Sequence, residues 1–223
     1  MSNDTYTPAL RYDALTPLYD TVIRTLTREE VWRAALIEQL DPKPGDRVLD
    51  VGCGTGTLAL ALKRREPDAD IIGIDPDASV LARARLKAHA AGQTINFLDG
   101  FLGTTPLPPG WRPNKIVSSL MFHQTPLETK SAILCTMRGL IPDAGEIHVA
   151  DYGFQETALM RTLFRLTVQS LDGVSDTQPN ADGVLPQLMR EAGLTVDTTR
   201  VIPTLTGSIS IFRAVVDRKS MTP

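Results

Sequence analysis

The sequence predicts an α/β fold: a seven-stranded, mostly parallel sheet with helices on both faces and a C-terminal antiparallel hairpin. Three observations predict it. An apolar run, Val48-Leu49-Asp50-Val51, leads into three glycines at alternate positions, Gly52, Gly54 and Gly56. Short apolar runs between residues 47 and 152 alternate with helical patterns, and such alternation builds a parallel sheet flanked by helices. The last two apolar runs, 195–202 and 208–216, are joined only by residues 203–207. So short a link favours an antiparallel pair.

The elements follow in order. Residues 1–15 are polar and irregular, and 17–26 form a plausible helix. Thr27-Arg28-Glu29-Glu30 has the form of a capping box, with Thr27 as N-cap and Glu30 three positions on. The helix it opens carries Val31, Ala34, Ala35 and Leu36 on one stripe and stops before Asp41-Pro42. Lys43-Pro44-Gly45-Asp46 turns into a first strand, 47–51, and a helix over 57–65 follows the glycines. A second strand covers 70–74. Asp77 can cap a helix that runs to Ala91 and ends at Gly92. Residues 94–98 and 115–120 are the third and fourth strands, 127–140 a helix, and 146–152 the fifth strand. The rhythm then breaks. Residues 155–171 look helical, 172–182 form a loop rich in Asp, Pro, Gly and Ser, and 185–192 are helical up to Gly193.

The bulk numbers bound the function. The 223 residues allow one domain with a sizeable core, and 1–223 is expected to be a single domain. A formal net charge of −3, with no basic cluster, gives nothing to draw the chain to nucleic acid. Two cysteines, Cys53 and Cys135, make neither a disulfide framework nor a zinc pattern. A reducing cytoplasm is the expected setting. The N-terminal residues lack the apolar stretch of a signal peptide, and no run is long enough to span a membrane.

The glycine turn is where an open parallel sheet binds an adenosine-containing cofactor. Its spacing discriminates between cofactors. A dinucleotide fingerprint places its third small residue three positions after the second glycine, at Thr57. Here the third glycine comes at Gly56, and an acid precedes the loop at Asp50. Asp75 closes the second strand one strand–helix–strand unit later, where a carboxylate can accept both hydroxyls of a ribose. Asp99 closes the third strand, in Phe97-Leu98-Asp99-Gly100-Phe101. Asp50 lies inside an apolar strand end, where a charge is costly without a partner.

These residues resemble motif I and the strand-end acids of the class I S-adenosylmethionine (SAM) methyltransferases, a Rossmann-like fold. The resemblance covers about residues 10–216. It implies SAM as cofactor. Asp50 would serve the methionine amino group and Asp75 the ribose. Asp99 would accept from the adenine amino group, with Phe101 flanking the ring. Gly52, Gly54 and Gly56 would give backbone approach, with the helix N-terminus from Thr57 near the methionine carboxylate. Ser118-Ser119-Leu120-Met121 would run beside the methionine moiety, with Ser119 or Leu120 in contact. Cys53 fills a variable slot. Within the family the chain resembles the ubiquinone/menaquinone-biosynthesis type and related small-molecule methyltransferases. Arg11-Tyr12-Asp13 and Leu18-Tyr19-Asp20 resemble the lid of that group, so Tyr12 or Tyr19 would pack over the sulfonium.

Methyl transfer is an in-line displacement that needs positioning and dryness more than side-chain chemistry. A base is needed only where the acceptor must lose a proton. His123 is the candidate, since it follows the fourth strand and an imidazole near neutral pKa suits proton removal. Asp151 and Tyr152, at the end of the fifth strand, are expected to face the same region. His89 reads as a solvated residue and His148 as buried packing. Lid elements, about 1–40 and 154–183, should enclose an apolar or aromatic small-molecule acceptor, with Leu159, Met160, Leu163, Phe164, Leu166 and Val168 as an apolar surface. Arg161 and Arg165 sit one turn apart and read as a surface pair, with anion binding as the alternative.

No metal, nucleic-acid or integral-membrane partner is expected, and a homodimer stays open. Missing signature sequences set aside amino-methylation of DNA bases, cytosine C5 chemistry, and arsenic and catechol methylation. The competing reading is a catalytically silent SAM-binding subunit or sensor; a nicotinamide oxidoreductase would need the other glycine spacing.

Overall fold

The computed structural model describes residues 25–217. Strands are β1 (Arg47–Val51), β2 (Asp70–Asp75), β3 (Asn96–Asp99), β4 (Lys115–Ser119), β5 (Glu146–Tyr152), β6 (Leu194–Thr204) and β7 (Gly207–Val216). They form one sheet in the order β3-β2-β1-β4-β5-β7-β6. β1 to β5 run parallel to one another, and β7 runs antiparallel between β5 and β6. The chain reverses its lateral progress between β1 and β4. In open α/β sheets a ligand crevice lies at the carboxyl ends of the strands at such a switch point.

Helices are α1 (Glu29–Leu40), α2 (Thr57–Arg65), α3 (Ala78–Ala90), α4 (Leu127–Leu140), α5 (Ala158–Leu166), α6 (Val168–Asp172), α7 (Val174–Ala181) and α8 (Val184–Glu191), with a 3₁₀ turn at Phe122–Gln124. Alternate residues of β1 feed two cores. Val48 joins Trp32 and Leu36 of α1, Leu58 and Leu62 of α2, and Leu81 of α3. Leu49 and Val51 join Leu134 and Met137 of α4 and Leu185 and Met189 of α8. The period-two alternation of a strand with both faces covered requires this.

Four expectations are corrected. First, the capping box does not form. Arg28 is the N-cap, in a left-handed conformation (φ 51°), with no side-chain cap hydrogen bond. A preceding helical turn reaches Leu26, which moves the helix start one residue on from Thr27. Second, the buried stripe of α1 is Trp32, Ala35, Leu36 and Leu40, while Val31 is exposed. The stripe follows the large indole rather than the valine. Third, 172–182 is not a loop. α6 ends at Asp172, Gly173 turns the chain (φ 87°), and α7 follows with Pro179 inside it. Thr177, Asn180 and Ala181 are buried there, so tertiary packing overrides the turn-forming composition. The helix expected over 155–171 is likewise broken at Thr167 into α5 and α6. Asp77 caps α3 as expected, its Oδ1 accepting from the Ser79 amide at 2.8 Å.

Candidate functional site

The glycine loop hangs from the end of β2. The amides of Gly52 and Cys53 both donate to the Ile74 carbonyl, at 2.9 and 3.1 Å. Asp75 holds the next part. Its Oδ2 accepts from the Gly54 amide at 2.8 Å and its Oδ1 from the Asp77 amide at 3.0 Å. Asp75 is 8% exposed, and burial raises its pKa against those two amides. Each oxygen keeps a lone pair for a ligand hydroxyl. Asp99 is the register partner of Asp75 on β3, and the Gly100 amide donates to the Asp75 carbonyl at 3.0 Å. Phe101 is 53% exposed beside them.

Two glycines of the loop differ in what surrounds them. A Cβ at Gly54 (φ 50°) would meet nothing within 4 Å, so the backbone there lies open to a ligand. One at Gly52 (φ 68°) would stand 2.8 Å from Cγ and Sδ of Met121. Met121 therefore lies over the loop from the end of β4. Leu120, just before it, takes a left-handed φ of 50°, a conformation costly for a branched residue. Its amide donates to Ala150 at 2.9 Å. Ser118 bonds the Val51 carbonyl at 2.8 Å, tying β4 to β1, and Ser119 is half-buried beside it. Cys53 is a buried thiol beside Gly73, and burial pushes its pKa up, so it is inert.

Asp50 is the most unusual group. It is fully buried and neither carboxylate oxygen makes a hydrogen bond of ordinary geometry, although the Ala59 amide in the first turn of α2 lies close enough to favour its charged form. Burial pushes its pKa up to about 7, against the Arg33 guanidinium and with the help of Asp75. Arg33, on α1, was not singled out from the sequence.

A second polar cluster lies past the ends of β4 and β5. His123 is buried between two acids. Its Nδ1 is 2.8 Å from Asp151 Oδ1 and its Nε2 is 3.5 Å from Asp172 Oδ2. Burial disfavours its charge, but Asp151 and then Asp172 outweigh it, and the pKa is raised to about 9. The sequence expectation is a near-neutral imidazole; the two acids instead shift His123 toward its charged form at pH 7. Asp151 is fully buried and also accepts from the Phe122 amide at 2.7 Å. Tyr152 packs edge-on to His123 with ring centroids 5.1 Å apart, and its hydroxyl bonds Thr206 at 2.7 Å. Lys130 completes the cluster. It is buried in α4, donates to the carbonyls of Thr125 and of Asp176, and has its pKa pulled down to about 8 by burial. A lysine on an amphipathic helix gives no sequence signal of such burial.

The structure thus gathers Asp50, the glycines, Asp75, Asp99 and Phe101 along the carboxyl edges of β1 to β3, with Ser119 beside them. It places His123, Asp151 and Tyr152 in contact at the neighbouring edge. Tyr12 and Tyr19 lie outside the described residues. His148 bonds Gln39 and Glu146, both at 3.1 Å, and burial lowers its pKa. His89 is exposed. Arg161 bonds the Gln155 carbonyl and stacks over Phe154. Two surface clefts of about 410 and 540 Å³ lie elsewhere, one beside Arg47 and Arg112, the other between α7 and α8. Neither holds a strand-end carboxylate. Among the described residues no group of three or more His, Cys, Asp or Glu is arranged to hold a metal ion, and no helix is long and apolar enough to cross a membrane.

Comparison with known proteins agrees with this geometry. Residues 48–145 match the family described as "Methyltransferase domain". An uncharacterized methyltransferase of Bacillus pumilus is 30% identical over 173 residues, which cover 74% of this chain and 78% of that protein. A demethylmenaquinone methyltransferase of Thermus thermophilus is 37% identical over 101 residues, 44% of this chain and 46% of the relative. A ribosomal RNA small subunit methyltransferase C of Pseudomonas syringae is 34% identical over 124 residues, 54% of this chain and 36% of the relative. The chain therefore spans less than half the length of these last two. Magnesium protoporphyrin IX methyltransferase from Synechocystis, solved with S-adenosylhomocysteine, shares the fold at a TM-score of 0.64 and 18% identity, over 84% of this chain and 83% of that one. This chain belongs to the class I SAM-dependent methyltransferases. The cofactor of that class is SAM, and an unpartnered buried carboxylate beside an open glycine turn fits its cationic amino-acid end.

Proposed function

We propose that this chain transfers the methyl group of SAM to an O, N or C atom of a small, apolar or aromatic acceptor. The observation that carries the reading is Asp50, a buried carboxylate with two unpartnered oxygens beside the Gly54 turn and Asp75. Such a group is tolerated where a ligand cation completes it. Asp50 takes the amino group, Asp75 the ribose diol, and Asp99 with Phe101 the adenine. Gly52, Gly54 and Gly56 admit the ligand, and Ser119 borders its methionine end. When bound, SAM supplies an electrophilic methyl on a sulfonium. The chain's residues then hold the acceptor in line and exclude water.

His123 acts as a fixed imidazolium, oriented by Asp151, that places the acceptor and the α6 end of the lid through Asp172. Proton removal, where the acceptor needs it, falls to water or to the acceptor itself. Tyr152 supports His123, because burial raises its pKa and Thr206 occupies its hydroxyl. Leu159 and Leu166, 62% and 66% exposed on α5, supply the apolar wall that favours an apolar acceptor. The charge of −3 disfavours a nucleic-acid substrate, and two free cysteines suit a reducing cytoplasm.

The test is calorimetric titration with S-adenosylhomocysteine and with NAD, followed by incubation of radiolabelled SAM with a cell-extract metabolite pool. Uptake of the SAM product alone, lost in Asp75→Ala, and label in a small extractable molecule are expected. Failure to bind it, or equal binding by Asp75→Ala, overturns the cofactor site. Binding without turnover favours the silent SAM-binding subunit.

A further inference from the structure

A cleft of about 410 Å³ opens at the amino ends of β1 and β4, the opposite edge of the sheet from the glycine turn. Arg47, the first residue of β1, and Arg112, just before β4, both line it. Among the described residues neither guanidinium makes a hydrogen bond or an ion pair. The chain has acids to spare, 26 against 23 lysines and arginines, yet none pairs with these two. Asp46 is committed elsewhere: it accepts from the Lys43 amide and from Asn114, and it pairs with Lys115. Asp70 accepts from Trp111 Nε1 at 2.6 Å. Asp68, whose carbonyl accepts from the Gly45 amide, and Asp143, next to Pro142, pair with neither arginine.

The rest of the lining is hydrocarbon or fixed backbone. Leu140, Ile141 and Pro113 supply the hydrocarbon. Asn114 is held at all four of its polar groups. Its Oδ1 accepts from the Arg47 amide and its Nδ2 donates to Asp46, both at 2.7 Å. Its amide donates to the Arg47 carbonyl at 3.0 Å and its carbonyl accepts from the Glu146 amide at 3.1 Å. The floor is therefore set before a ligand arrives, which lowers the ordering cost of binding. The volume falls in the range of small-molecule sites, roughly 300–1,000 Å³.

We propose that this cleft binds an organic phosphate monoester, its phosphate facing Arg47 and Arg112 and its apolar body lying on Leu140 and Ile141. A guanidinium fork takes phosphate or carboxylate oxygens two at a time. Two forks favour the anion with more oxygens and more charge. A phosphate monoester offers three terminal oxygens and about −1.5 to −2 charge at pH 7, a carboxylate fewer of both. A bare phosphate would leave the hydrocarbon half of the cleft in water. The five residues of β1 put roughly 15 Å between the cleft and the glycine turn. The occupant is thus a second ligand, separate from the cofactor.

The experiment titrates phenyl phosphate, benzoate, inorganic phosphate and phenol into nitrogen-15-labelled wild type, Arg47→Gln and Arg112→Gln. Both arginines are exposed, so the substitutions should leave the fold intact, and unchanged amide spectra away from the cleft report this. Phenyl phosphate should saturate the wild type, shifting the amides of Gly45 and Asn114 and not that of Gly54. The other three probes should each bind at least about fivefold more weakly. Each arginine variant should weaken phenyl phosphate by about five- to tenfold. No saturation by about 10 mM, shifts centred on Gly54, another probe that binds as tightly, or variants that bind phenyl phosphate unchanged would each overturn the proposal.

Discussion

Asp50→Asn should make the empty protein more stable in alkaline solution while destroying its affinity for cofactor. The Asp50 carboxyl is held at about 7 in the fold against 3.8 in a free chain. Between those values the folded state binds a proton that the unfolded state has released, so stability falls as pH rises. The full shift corresponds to about 4 kcal/mol, of which about 3 kcal/mol is lost between pH 5 and pH 8.5. Asparagine never ionises, so the variant escapes that loss. It keeps a cost of about 1–3 kcal/mol for a buried amide without partners. At pH 5, where aspartate is mostly protonated, the variant should therefore melt at or slightly below the wild type. By pH 8.5 it should have gained roughly 6–12 °C on the wild type, at about 2–4 °C per kcal/mol for a domain of this size. Scanning fluorimetry across that range measures the difference, and groups common to both proteins cancel. S-adenosylhomocysteine should raise the melting temperature of the wild type and not that of the variant. A variant whose melting temperature tracks the wild type at every pH, or which the ligand stabilises equally, refutes the account of Asp50 as a strained, ligand-awaiting acid.

The two glycines should separate on substitution. Gly54→Ala meets open space and suffers only left-handed strain, about 1–2 kcal/mol, whereas Gly52→Ala adds a 2.8 Å clash with Met121 and should unfold at lower urea; equal midpoints would contradict this. His123, raised from 6.5 to about 9, stabilises the fold fully below pH 6.5 and ceases to do so as pH climbs through 9. Nitrogen-15 spectra at pH 7.5 should show His123 as imidazolium and His148 neutral, and a neutral His123 would count against the Asp151–Asp172 clasp. In Asp172→Asn the amides of α6 should exchange faster at pH 7.5, with α4 unchanged.

Periodicity and punctuation were enough to find β1, α2, α4 and β5, whose ends are marked by glycine, proline and charge at both sides. The same signals misjudged α7, because Gly173 and Pro179 resemble a loop until Thr177 and Asn180 find burial against the 3₁₀ turn. Asp50, Asp75 and Asp99 were readable as acids at strand ends in register. Arg33, Lys130 and Asp172 were not. Each is coupled to a segment distant in the chain: Arg33 by charge to Asp50 of β1, Lys130 to the Asp176 carbonyl of α7, Asp172 to His123 of the 3₁₀ turn. Nothing local distinguishes them from solvated charges. The charge state of His123 was beyond reach for the same reason, since it depends on two carboxylates supplied by later elements.

The strand that closes the sheet is made after the other six. While residues 207–216 are still unmade, β5 is a rim with its backbone groups unpaired from Glu146 to Tyr152, where Val215 through Ile209 will later dock. A nascent chain that has already assembled β1 to β5 at the ribosome therefore carries an open edge next to the residues it most needs to keep dry. Such an edge invites pairing with a neighbouring polypeptide. Losing a few residues from this final strand would thus harm the molecule more through what it sticks to during synthesis than through the contacts subtracted from its finished form.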